Sequence, residues 1–183
     1  MKTKIILTLL LIATVSFQSL AQDVTIVGGE KMYPKKNIIE NAVNSKDHTT
    51  LVAAVKAAGL VETLMGDGPF TVFAPTNAAF NKLPEGTVPT LLKPENKSKL
   101  TSVLTYHVVA GKMDASAIMK AIKKGNGKAE LETVNGGTLT ATMNGPKNVI
   151  LTDANGNMSN VTLYDVYQSN GVIHVIDSVV LPK

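Results

Sequence analysis

The chain has 183 residues, with 18 Lys, no Arg, 14 acidic residues, three His, no Cys and no Trp. That length suits one domain with a sizeable core, since domains of this size bury roughly 70% of the surface their unfolded chains expose. Without Cys there is no disulfide, thiol nucleophile, zinc–thiolate site or lipid-bearing N-terminal Cys, and without Arg the preferred bidentate reader of phosphate and guanine is missing, which argues against nucleic-acid partners.

Met1-Lys2-Thr3-Lys4 followed by the mostly apolar run Ile5 to Phe17 reads as an export signal, with small residues at Ser19-Leu20-Ala21 and cleavage expected after Ala21. The run is short of the ~20 apolar residues a membrane span needs. Lys2 and Lys4 belong to this leader, so the remainder carries 16 Lys against 14 acidic residues, net +2. The expected location is the periplasm or the exterior, with no membrane span.

Beyond the leader, residues 37 to 124 read largely as short helices around one strand. Ile38, Ile39, Ala42 and Val43 fall at helical spacing. Asp47 or Thr49 is placed to cap a helix carrying Leu51, Val52, Val55 and Ala58, and Gly59 to end it. Phe70 to Ala74 reads as a buried strand stopped by Pro75, with Thr76 or Asn77 capping the next helix, which carries Phe80 and Leu83. Pro84, Pro89 and Pro94 limit the segment around Leu91 and Leu92 to single turns. A helix from about Glu95 to Thr105 is expected to run into a strand at Tyr106 to Val109. Asp114 then caps a helix that ends at Lys123-Lys124-Gly125.

Residues 126 to 182 read as strands. Asn-Gly, which suits the positive φ of hairpin turns, occurs at 126, 135, 144, 155 and 170. Between these turns lie Ala129–Val134, Thr138–Met143, Val149–Thr152 and Val161–Val166, and then a longer strand over Val172–Leu181. The pattern predicts an antiparallel meander, with Asn170-Gly171 its least regular turn.

Signatures of chemistry are sparse. No Gly-x-Ser-x-Gly, phosphate-loop or dinucleotide motif occurs. His48, His107 and His174 have no His or Cys at metal-ligand spacing, so hydrogen-bonded structural histidines are the expected reading, with no metal and no cofactor. Strands at His107 and His174 leave open that the two rings meet. Asp153, Asn155 and Asn157 alternate like a calcium loop but lack the downstream Glu, so a hairpin turn accounts for them. Glu130 and Glu132 share one face of a strand, as solvated residues do.

Three ordered segments resemble the fasciclin-like (FAS1) domain. They are Thr71-Val72-Phe73-Ala74-Pro75-Thr76-Asn77-Ala78-Ala79-Phe80, Leu104-Thr105-Tyr106-His107-Val108-Val109, and Ser169-Asn170-Gly171 through His174 and Asp177 to Val180-Leu181-Pro182. The resemblance spans residues 37–183, with 22–36 as a lead-in similar to that of bacterial members. It implies an α+β fold, a FAS1-like β-sandwich or wedge with several short helices packed along one side. It also implies adhesion or matrix contact, with Tyr106, His107, Asn170 and Asp177 as partner-binding positions by analogy with integrin-binding animal members. Thr71, Phe73, Pro75, Thr76, Asn77, Phe80, Gly171, His174 and Pro182 would then be signature residues with structural roles. The residues themselves admit structural explanations for the first four as well: Tyr106 half-buried with its hydroxyl paired, Asn170 in a turn, and Asp177 accepting backbone hydrogen bonds.

Of three candidate functions the first is expected, the second is its alternative, and the third is not expected. The first is a secreted, non-enzymatic adhesion or surface-interaction module for a protein or polysaccharide, with weak self-association supplying avidity. The second is a periplasmic binding module for a small molecule or polysaccharide, which needs a concave pocket near Tyr106, His107 and His174. The third, an enzyme, needs His107 and a carboxylate within hydrogen-bond reach in a cleft.

Overall fold

The computed structural model describes residues 24–183; the expected leader, residues 1–21, lies outside them. The chain enters through a two-stranded ribbon, β1 (Thr25–Val27) antiparallel to β2 (Glu30–Met32). Its turn requires glycine twice over. Gly28 has φ +59°, and a Cβ there would sit 2.7 Å from Ser45 Oγ.

The helical half comes next. Helix α1 (Ile38–Ala42) starts with a capping box in which the Asn37 side chain accepts from Glu40 N and Glu40 accepts from Asn37 N. Helix α2 (Thr49–Ala58) ends at Gly59 in the left-handed region, as expected. Helix α3 (Val61–Met65) precedes strand β3 (Phe70–Pro75). Thr76 caps α4 (Asn77–Phe80) through Ala79 N. The proline-punctuated stretch yields the short helix α5 (Thr87–Leu91) and a single 3₁₀ turn at Pro94–Asn96.

Helix α6 spans Lys97–Tyr106, and β4 covers only Val108–Ala110. The strand expected to start at Tyr106 is therefore corrected. Tyr106 is the last helical residue, and His107 is its cap, with His107 N donating to Leu104 O. Apolar periodicity does not separate a buried helix end from a short buried strand. Helix α7 (Ala115–Lys124) is capped by Asp114 through Ala117 N.

The meander comprises β5 (Lys128–Glu132), β6 (Thr138–Asn144), β7 (Asn148–Thr152), β8 (Met158–Gln168) and β9 (Gly171–Ile176). Four Asn-Gly pairs sit at the turns between these strands, Asn170-Gly171 among them. Asn126-Gly127 instead links α7 to β5, with φ +56° and +99°. The last strand ends at Ile176 rather than Leu181. There Asp177 N still bonds Asn160 O, but Ser178 N turns to Ser159 Oγ and leaves the ladder.

Seven strands form one sheet in the order β4-β3-β9-β8-β7-β6-β5, antiparallel throughout except for the parallel β3–β9 pair. A bridge between Val109 and Thr133, with Val134 N donating to Val108 O at 2.7 Å, joins the two ends of the sheet into a near-barrel. Closure leaves little free edge for another strand to add to.

Two larger cores flank this sheet. One lies under α1, α2, α3 and α6 and includes Ile38, Val55, Leu64, Val72 and Ile173. The other is formed by the meander and α7 and includes Phe73, Tyr106, Ile118, Leu139, Leu151 and Ile176. Thus α7 covers a part of the sheet that the earlier helices do not. A cavity of about 90 Å³ remains in the helical core, between α1, α2 and α3 and the sheet.

Candidate functional site

The four expected partner-binding residues are largely spent inside the fold. Tyr106 is completely buried, not half-buried. Its hydroxyl donates to Thr138 O at 2.6 Å and accepts from Ala154 N at 3.0 Å, tying helix α6 to two turns of the meander. Burial pushes its phenol pKa up. Gly137 is glycine for the same reason, since a Cβ there would meet the Tyr106 ring at 2.8 Å.

His107 is buried as well. One ring nitrogen, Nδ1, lies 2.8 Å from Val103 O, and Nε2 accepts from Val180 N at 3.2 Å. Those partners define a neutral ring with its proton on Nδ1, and burial lowers its pKa to about 4.

His174 does a parallel job on β9. Its Nδ1 accepts from Asp165 N and its Nε2 faces Met113 O at 2.8 Å, while its ring stacks on Phe73 with centroids 5.7 Å apart. Its pKa is likewise lowered by burial. The two rings thus serve separate partners. His174 joins Thr71, whose hydroxyl donates to Gly111 O and accepts from Met113 N, in holding the loop between β4 and α7. Asp165 sits at a bulge of β8 with φ +57°, and its carboxylate accepts from Ala115 N at the start of α7.

Asn170 is a cross-link between helices. Its Oδ1 accepts from Ile38 N, and its Nδ2 donates to Leu64 O and Gly66 O. Gly171 beside it leaves no room for a side chain, because a Cβ would fall 2.2 Å from Phe70 O. Asn170 also borders an open polar depression shared with Asp67, Gly68 and Lys112.

Asp177, like Asn170, is only partly buried. Burial works against its charge, but bonds from the Asn160 side chain and backbone, together with Lys82 at 3.5 Å, outweigh it and hold the carboxyl below its usual range. Asn170 and Asp177 stand at opposite ends of β9, roughly 20 Å apart at the rise of a strand, so they do not form one contact patch.

The remaining signature residues hold the frame. Asn77 caps a helix, though not its own: its Oδ1 accepts from Thr50 N and its Nδ2 donates to Lys46 O, so it closes the start of α2, where neither Asp47 nor Thr49 serves as the cap. Pro75 ends β3 opposite Ile176. Phe80 packs with Val103 and Val179 in a third, small core. Pro182 O and Leu181 O accept from Asn155 Nδ2.

Asp153 forms the expected turn and also does something its local sequence did not suggest. It accepts from Asn155 N and Asn157 N within the turn, and from Leu181 N of the C-terminal tail. Among the described residues, no carboxylate hydrogen-bonds a histidine ring, and no group of three His, Asp or Glu is placed to hold a metal. The pocket expected around Tyr106, His107 and His174 is displaced. The cavity touches His107 but otherwise lies in the helical core against His48.

His48 departs from the expected pattern of a fully bonded histidine. It is buried, with Nδ1 2.8 Å from Ser45 Oγ, while Nε2 has no hydrogen-bond partner. The sequence places it with His107 and His174 as a hydrogen-bonded structural histidine, and nothing in its local pattern marks the missing partner.

Comparison with known proteins agrees with this architecture. A 170-residue match to the cell surface glycolipoprotein MPB83 of Mycobacterium bovis is 33% identical, covering 90% of this chain and 69% of that protein. The Synechocystis protein sll1483 is 49% identical over 145 residues, 79% of this chain and 73% of its own. In structure, the chain matches a FAS1 domain pair from the insect cell adhesion molecule fasciclin I with a TM-score of 0.71 at 19% identity. That match covers 81% of this chain and 51% of the pair. The fasciclin domain family model matches residues 46–182, and the chain belongs to that family.

Proposed function

We propose that this chain is an exported, non-catalytic surface-interaction module that works by contact with a protein or polysaccharide outside the cytoplasm, in the periplasm or beyond it. Family membership supports the reading, as does similarity to a protein named for the cell surface. No helix among the described residues is long and apolar enough to cross a membrane. In this reading residues 1–21 are a cleaved leader and 37–183 the folded domain.

The observation that carries the reading to particular residues is the N-terminal ribbon. With the sheet closed, β1 pairs only with β2 among the described residues. Ile26 is 63% exposed, and Val24, Tyr33 and Val43 are exposed nearby in sequence. Lys36 lies over the Tyr33 ring, which gives the segment a cationic aromatic face. Such a strand edge with apolar and aromatic groups suits contact with an extended partner. A single domain offers few such contacts, so weak self-association or dense display supplies the avidity.

The test is retention of protein-coated beads on cells, matrix or envelope polysaccharide. Wild-type beads should be retained and Ile26→Lys beads should lose most of that retention, because the substitution is at an exposed position and leaves the core untouched. Retention of wild type no better than that of an unrelated protein of equal charge rejects the proposal.

A further inference from the structure

We propose that the cavity in the helical core is a binding site for a small apolar molecule bearing one hydroxyl, which hydrogen-bonds His48 Nε2. The inference does not rest on the adhesion reading, which uses the outward Ile26 and Tyr33 of the ribbon, whereas the inward Val27 and Met32 of the same ribbon line the cavity.

Two observations meet here. The first is the space itself. About 90 Å³ is left between Ile38 and Ile39 of α1, Val55 of α2, Leu64 of α3, and Val72 and Ile173 of the sheet. Wholly apolar cavities of about 150 Å³ stay dry and take up benzene-sized molecules; the space here is smaller, so a short acyl chain fits it as it stands and a single ring requires the wall side chains to shift. The wall also includes the exposed residues Lys56 and Thr63, which mark a route to solvent.

The second observation is His48, which lines the same cavity with only 4% of its surface exposed. Its Nδ1 is occupied by Ser45 Oγ, so the ring orientation is set, and Nε2 is left without a partner. The Ala74 carbonyl lies close enough to the ring to favour its charged form, against the larger effect of burial, but its geometry falls short of a formed hydrogen bond to Nε2. Buried polar atoms are nearly always satisfied, and an exception on a cavity wall invites an occupant that satisfies it. Burial keeps the ring neutral, so Nε2 either accepts or donates according to the tautomer that Ser45 selects. An occupant is thus required to be apolar over most of its surface and polar at one point, which describes an alcohol or phenol and excludes a sugar or an ion.

Phenol and toluene are the probes, because they match in shape and differ in the hydroxyl. Titrations of the purified protein at pH 7.5 are followed by backbone amide shifts of Val55 and Ile173 and by the imidazole nitrogen shifts of His48. Phenol should bind at least as tightly as toluene and move the His48 Nε2 resonance, whereas toluene should leave that resonance in place. His48→Leu should weaken phenol about tenfold and change toluene by less than about twofold. Val55→Phe, which fills the space, should abolish both.

Failure of both probes to bind overturns the proposal. So does tighter binding of toluene than phenol by wild type, or a His48 Nε2 resonance unmoved by saturating phenol. The resonance measurement uses wild type alone, so the decision stands even if His48→Leu does not fold.

Discussion

The two larger cores of this near-barrel are filled to different degrees. In the meander core Phe73, Tyr106, Ile118, Leu139, Ala141, Val149, Leu151 and Ile176 have no measurable exposure. In the helical core the most enclosed residue is Val166 at 1%, and most of its members keep a few per cent. The cavity and the orphaned His48 nitrogen both lie on the helical side.

The difference comes from how each region is built. Meander strands are joined by short turns that set register, so their inward residues interdigitate. Helices α1 and α3 have only five residues each, too few to stand alone, and depend on borrowed contacts. Asn170 supplies α1 and α3 from the β8–β9 turn, and Asn77 supplies α2 from the start of α4. Such point attachments position helices without making them fill the space below.

The largest expected effect tests that contrast directly. Leu151→Ala in the meander core should cost about 4–5 kcal/mol in urea unfolding, near the top of the range for such truncations. Leu64→Ala in the helical core should cost about 2–3 kcal/mol, since its surroundings already contain free space. Equal losses would break the comparison.

Acid should act next. His107 has its pKa lowered from 6.5 to about 4 in the fold, so between those values the unfolded chain binds more protons. Stability is complete above 6.5 and is lost as pH falls toward 4, by about 3 kcal/mol for this residue alone. His48 and His174 shift in the same direction. Asp177, whose pKa is lowered, stabilises above 3.8 and contributes its loss only at more acid pH. Urea midpoints at pH 7, 5.5 and 4.5 should therefore fall before the carboxylates titrate. A flat profile over that interval would contradict neutral burial of these rings.

The smallest effect sharpens the account of borrowed caps. Asn77→Ala should cost about 1 kcal/mol and raise amide exchange at Thr49 and Thr50 while leaving the meander amides unchanged. Equal exchange changes in both regions would mean that Asn77 supports the whole fold rather than one helix start.

Much of this was legible from local pattern. Gly59, Thr76 and Asp114 mark helix ends that the structure keeps, because capping depends on residues a few positions apart. All five Asn-Gly pairs lie at turns. Tyr106 and His107 misled because a buried apolar helix end and a buried strand share one signature. Their full burial was also hidden: Tyr106 finds its partners at Thr138 and Ala154, far along the chain. His48 was unreadable for a similar reason, since an absent partner has no sequence signal.

The family, the α+β class and the order of the meander were settled by the chain alone, because caps, turns and short-range periodicity act between near neighbours. The parallel β3–β9 pairing, closure through Val109 and Thr133, and the unfilled space beside His48 were decided only by tertiary structure. Each depends on distant segments meeting, and the free energy of such a meeting belongs to the packed whole rather than to any stretch of residues.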